Sequence, residues 1–110
     1  MIEKTVLDQL TRSLRHPVYM EIPEKMPDKF YILRKADSGR ADMVDMAMFT
    51  LRSYAGTLYE AAEMIEAAVE ALDALSDLDG IYSSYRMGDY PIDQSEIKKY
   101  CYQAVQEIYY

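Results

Sequence analysis

The residues of this chain that could do chemistry are few and scattered. His16 is the single histidine and stands directly before Pro17. No nucleophile pairs with it in the sequence. Its expected role is structural, as a cation near a helix C-terminus. Cys101 is the single cysteine. It falls inside an apolar alternating run, where a thiol is buried and inert rather than activated. Glu60, Glu63, Glu66, Glu70 and Asp73 recur three and four residues apart, an acidic face on a helix. Helical carboxylate metal centres add a Glu-x-x-His spacing that is absent here. Asp89, Asp93 and Glu96 lack the ligand spacing and glycine of a calcium loop. The chain has no phosphate-cradling glycine loop, no Cys-x-x-Cys and no Ser/His/Asp order. The reading is therefore non-enzymatic, with no catalytic, metal-binding or cofactor-binding residue expected.

The elements that would position these groups follow from hydrophobic period. Ile2, Val6, Leu7, Leu10 and Leu14 repeat at helical spacing, predicting a helix over 2–14 that Pro17 closes off. Alternation predicts strands over 18–22 and 29–35, with Pro23 and Pro27 stiffening the link between them. Residues 37–40, Asp-Ser-Gly-Arg, give a turn signal leading into a third strand over 43–55. The three strands most simply form an antiparallel meander. The third is apolar on both sides: Val44, Met46, Met48 and Tyr54 on one, Met43, Ala47, Phe49 and Leu51 on the other. A continuous helix over 43–78 is the alternative, weakened by Gly56.

Residues 56–78 predict a long helix. Its apolar stripe holds Leu58, Ala61, Ala62, Ile65, Ala68, Val69, Leu72 and Leu75, opposite the acidic face. A fourth strand is expected over 81–87, a polar loop to 97, and a fifth strand over 99–109. In the fifth, Tyr100, Tyr102, Ala104 and Ile108 share one side and Cys101, Val105 and Tyr109 the other. The order α-β-β-β-α-β-β defines an α+β fold, a mainly antiparallel central sheet with the long helix packed on one face. At 110 residues it reads as one domain spanning 1–110.

Composition narrows the functional classes. Hydrophobic residues make up 50% and charged residues 28%, which excludes a disordered chain. The formal net charge of −7 sits almost wholly in the second half. Residues 1–55 hold nine Lys/Arg against eight Asp/Glu, and residues 56–110 hold three against eleven. Such a half repels nucleic acid and anionic lipid. The basic residues Lys25, Lys29, Arg34, Lys35 and Arg40 are interleaved with acids and make no nucleic-acid patch. One cysteine fits a reducing compartment, and neither a signal peptide nor a membrane span is expected. Eleven tyrosines, two phenylalanines and no tryptophan suit amphipathic strands or contact surfaces that are part wet and part packed.

Several stretches carry a family resemblance. They are Pro-Val-Tyr-Met-Glu-Ile-Pro at 17–23, Arg-Ser-Tyr-Ala at 52–55, Leu-Tyr-Glu-Ala-Ala at 58–62 and Tyr-Gln-Ala-Val at 102–105. Nearly the whole chain resembles the tail-terminator or tail-to-head joining proteins of long-tailed phages and prophages. That resemblance implies a virion protein without enzymatic activity, made in the host cytoplasm and residing in the tail or neck. It implies a ring, commonly a hexamer, at the head-proximal end of the tail. The ring would end tail-tube growth and dock the head connector. DNA would pass its lumen without specific binding, and no membrane would be involved. A ring needs a heterologous contact between two different patches. Met46, Met48, Phe49, Tyr54, Tyr109 and Tyr110 are the expected contributors. The segments 37–42 and 88–97 are expected to touch tail or connector proteins. Another head–tail connector or neck component, or a small acidic regulatory binding module, are the alternative readings.

Overall fold

The computed structural model describes residues 1–93 and 97–110. The described elements are α1 (Ile2–Ser13), β1 (Val18–Tyr19), β2 (Phe30–Ala41), β3 (Val44–Ala55), α2 (Leu58–Asp73), β4 (Ser83–Ile92) and β5 (Tyr100–Tyr109). A short 3₁₀ turn, Ala74–Asp77, extends α2. The five strands form one sheet in the order β1-β2-β3-β5-β4. The expected α+β class and the long helix packed on the sheet are both present.

Strand β3 organises the sheet. It pairs antiparallel with β2 on one side and with β5 on the other along nearly its whole length. Its alternation then assigns every second side chain to one layer. Ala47, Phe49, Leu51 and Ala55 point under the helices and are fully buried. Helix α2 lays Ala61, Met64, Ile65, Ala68, Val69 and Leu72 on that face. Ala61 and Ala68 leave no exposed surface, because a methyl side chain lets the helix backbone approach the sheet closely. Tyr31 Oη donates to the Met64 carbonyl at 2.8 Å, and Ser53 Oγ to the Ala61 carbonyl at 2.7 Å. These bonds give the two buried hydroxyls partners that burial would otherwise deny them. Helix α1 adds Ile2, Val6 and Leu10 to the same core.

The start of α2 is set locally. Thr57 takes extended backbone angles, and its hydroxyl oxygen accepts from the Glu60 N–H at 3.1 Å, an N-cap. The continuous-helix alternative is overturned, since residues 44–55 complete a two-sided ladder that no helix could share.

Four expectations are corrected. First, β1 lies parallel to β2, pairing Val18 with Tyr31 and Tyr19 with Ile32; the first three strands are not a meander. The strand stops at Tyr19, short of the expected Ile22, and residues 20–29 loop back past Pro23 and Pro27. Second, β2 does not turn at 37–40. It absorbs an irregularity between Lys35 and Asp37 and continues to Ala41, opposite Val44. The turn is Asp42-Met43, with φ of 51° and 69°, the left-handed pair that a two-residue hairpin demands. Third, β4 runs to Ile92 through Gly88 and Pro91, with a register shift between Arg86 and Gly88. An edge strand tolerates that proline. Fourth, Leu58 of the expected apolar stripe is exposed, one turn before α2 meets the sheet.

Strand β5 sits between β3 and β4, so β3 and β4 run parallel and α2 connects them across an inserted strand. Twelve residues at about 3.3 Å each make a hairpin arm of about 40 Å, in keeping with the 42 Å long dimension.

Two predictions follow from the core. Phe49→Ala should lower unfolding free energy by about 3–5 kcal/mol, as a large buried side chain does. Met46→Ala, on the opposite face and half-buried, should cost about 1 kcal/mol or less; denaturant titration of both variants measures the contrast. Burial pushes the Tyr31 phenol up to about 12, against about 10 in an unfolded chain. A raised folded value means this contribution to stability is complete below pH 10 and lost as pH climbs through 12. Alkaline titration followed at the phenolate absorbance should show one tyrosine ionising late, together with loss of structure. Replacing Tyr31 with Phe should remove that late component.

Candidate assembly surface

Both helices pack on one face of the sheet, so among the described residues no helix covers the other face. At one end it is closed by a small cluster. Phe30, Ile32, Tyr54 and Cys101 are buried there, with Tyr19, Ile92 and Ile97 against them. Phe30 stacks on Tyr54 with centroids 5.0 Å apart, and Tyr19 meets Phe30 edge-on at 6.1 Å. Next along the strands comes a polar row. Arg52 Nε donates to Gln103 Oε1 at 2.8 Å, and Gln103 Nε2 donates to the Tyr90 hydroxyl at 2.7 Å.

Beyond that row the face opens. Val44, Met46 and Met48 from β3 lie beside Val105 and Tyr109 from β5, all half-exposed. Tyr85 of β4 is 57% exposed. It meets Tyr109 edge-on at 6.0 Å. The Tyr109 hydroxyl donates to Glu107, which raises its pKa. The result is an apolar and tyrosine-rich patch at the hairpin end of the sheet, with Glu107 inside it. Nothing in the described residues covers it.

The six expected interface residues therefore separate. Met46, Met48 and Tyr109 come together on the open face. Phe49 is 1% exposed beneath α2 and Tyr54 is 5% exposed in the small cluster; both are internal. Tyr110 packs on the helix-side core, and its backbone exchanges hydrogen bonds with Asp45. Tyr85 was absent from the expected set because it belongs to a strand distant in sequence, brought alongside by β5.

The acidic face separates too. Glu60 is half-buried, with its carboxylate 2.8 Å from Lys29 Nζ. The Lys29 and Thr57 hydrogen bonds hold its pKa below the usual carboxylate range. Asp73 accepts from Arg86 at 2.7 Å and from the buried Gln106 amide at 3.0 Å. Glu63, Glu66 and Glu70 are exposed and make no ion pair with the described residues. Between α2 and β4 lies a groove of about 300 Å³. Ala62, Ile65, Val69 and Tyr102 form its floor, and Glu66, Glu70, Asp89 and Arg86 its rim.

Burial, then the charges of Lys29 and Arg15, lower the pKa of His16. Burial raises that of Cys101, which lies between Tyr54 and Ile92 across the sheet in the small cluster. Among the described residues, no group of His, Cys, Asp and Glu side chains could hold a metal. Of the expected contact segments, 37–41 are exposed strand ending in the hairpin turn. Positions 88–92 are strand, and 94–96 lie outside the described residues. No described helix is long and apolar enough to cross a membrane.

Comparison with protein-family models and with curated proteins gives no match to this chain.

The two kinds of carboxylate should respond differently to neutralisation. Replacing Glu63, Glu66 and Glu70 together with Gln should leave stability within about 0.5 kcal/mol or raise it, since like charges three and four apart repel. Asp73→Ala should cost about 1–3 kcal/mol by stripping a partner from the buried Gln106 amide. Thermal and denaturant unfolding at neutral pH distinguish the two.

Proposed function

We propose that this chain is a non-enzymatic virion assembly protein of the tail-terminator kind. In this reading it forms a ring at the head-proximal end of a phage tail, ends tube growth and joins tail to head. The observation that carries the reading is the uncovered sheet face with Met46, Met48, Val105, Tyr85 and Tyr109. A sheet face of this composition loses free energy to water unless a second molecule covers it. The α-β-β-β-α-β-β order and the sequence resemblance point to the same class. The exposed carboxylates of α2 suit a passage that DNA crosses without adhering, because like charge suppresses binding to phosphate. Self-association, tail-tube and head-connector proteins are the partners in this reading.

Native mass spectrometry with negative-stain imaging of the purified chain, alone and with tail tubes, tests it. Closed rings are expected, six-membered by the resemblance. Met46→Ser combined with Met48→Ser should abolish the rings while leaving the thermal unfolding curve near wild type. A chain that stays monomeric at high concentration and on tail tubes would overturn the proposal. So would a double variant that unfolds outright, since the open face would then be part of the monomer core.

A further inference from the structure

Glu107 stands half-buried inside the open patch, between Met48 of β3 and Tyr85 of β4 in the register of the sheet. Among the described residues it makes no ion pair. Two cations share this face. Arg34 belongs to β2, two strands away, where it lies opposite Thr50. Arg52 donates to Gln103. The side-chain partner of Glu107 is the Tyr109 hydroxyl, which gives the carboxylate its one proton. A carboxylate has lone pairs for several donors, and a hydroxyl oxygen that donates can still accept. What Glu107 and Tyr109 still offer is therefore acceptor capacity.

Tyr85 adds an aromatic face. It is 57% exposed, and its ring stands at 81° to that of Tyr109 with centroids 6.0 Å apart. Gly88 follows Tyr85 on the same side of β4, and nothing lies within 4 Å of where its Cβ would be. The space beside the ring and the carboxylate is open. Two rings near a right angle with an uncompensated carboxylate between them favour a cation, through the ring quadrupole and through charge. A phosphate or a carboxylate would be repelled by Glu107. A guanidinium suits the corner better than an ammonium. Its plane can stack on a ring while its edge donates to a carboxylate, and it gives up water more readily on a half-dry surface.

We propose that the Tyr85–Glu107–Tyr109 corner of the open face is a docking site for an arginine side chain of a basic partner protein. The guanidinium lies against the Tyr85 ring and donates to Glu107 and to the Tyr109 hydroxyl oxygen, and its methylene stem runs along Met48. A basic protein fits better than a second copy, because a chain of net charge −7 attracts opposite charge and repels its own kind. This refines the assembly reading, on which it rests for the open face, by giving that corner to a different protein. A peptide probe reports on it whether or not rings form.

The test titrates the full chain with the blocked tripeptide acetyl-Ala-Arg-Ala-amide and follows tyrosine ring and backbone signals by NMR. Signals of Tyr85, Glu107 and Tyr109 should move together and saturate with a Kd of roughly 1–10 mM. The lysine tripeptide should bind more weakly. The citrulline tripeptide, similar in shape but uncharged, should not saturate. Glu107→Gln keeps an acceptor for Tyr109 and should weaken the arginine peptide about fivefold. Tyr85→Leu keeps apolar area without the ring and should weaken it about threefold. Sedimentation velocity of Glu107→Gln should match wild type. No saturable shift, shifts confined to another surface, equal binding of the citrulline peptide, or unchanged affinity in Glu107→Gln overturns the site. Self-association that Glu107→Gln abolishes gives the corner to a second copy and overturns the assignment to a different protein. A chain that forms no rings yet binds the arginine peptide through Glu107 overturns the ring reading and leaves the site standing.

Discussion

The double pairing of β3 is the constraint on which the rest of the structure depends. A strand hydrogen-bonded along both edges cannot rotate about its own axis, so its side-chain alternation becomes a fixed division into layers. Once Phe49 and Leu51 are committed beneath α2, Met46 and Met48 must project from the opposite face. A shift of one residue would exchange the two sets and put Arg52 and Thr50 under the helix. The bonds from Tyr31 and Ser53 to backbone carbonyls of α2 reinforce the register, because each hydroxyl finds its partner only with the helix in this position.

The layer assignment was legible in the sequence where it depended on local period. The division of residues 43–55 into two faces, the long helix and the alternation of β5 were all readable from spacing. What could not be read was set by contacts distant in the chain. Phe49 and Tyr54 look as free as Met46 in a list of strand residues. Phe49 is covered by α2, and Tyr54 by Phe30 and Cys101 from the two neighbouring strands. Tyr85 reached the open patch only because β5 inserts between β3 and β4. The hairpin turn was displaced for a different reason. Asp-Ser-Gly-Arg is a good turn sequence, but the irregularity after Lys35 lets β2 pass through it. The tighter reversal then falls on Asp42-Met43, where a methionine at positive φ runs against local preference.

The acidic helix shows how one sequence pattern can hold different jobs. Five carboxylates at helical spacing look equivalent until their neighbours are known. Glu60 joins the helix start to Lys29, and Asp73 organises Arg86 and the buried Gln106 at the other end. Both fasten α2 to the sheet. Glu63, Glu66 and Glu70 project outward between them without such partners. Their mutual repulsion disfavours the helix by a few tenths of a kcal/mol per pair, and the packing of six side chains beneath it outweighs that cost.

Both edges of the sheet resist strand-to-strand addition. Past Ile32 the outer edge of β2 pairs with no other strand among the described residues, since β1 covers only two residues of it. That edge carries Arg34, Lys35 and Arg40 and an irregularity after Lys35. The β4 edge carries Pro91 and its own irregularity beside Arg86. Charges, prolines and bulges are the features that keep edge strands from pairing with other chains. The face, by contrast, has no such guard: its patch mixes methionine, valine and tyrosine with Glu107 as the charge beside Tyr109. A fold that blunts both edges while leaving one apolar face open directs association toward side-chain packing. Side-chain packing can distinguish one partner from another, whereas backbone ladders accept any extended strand.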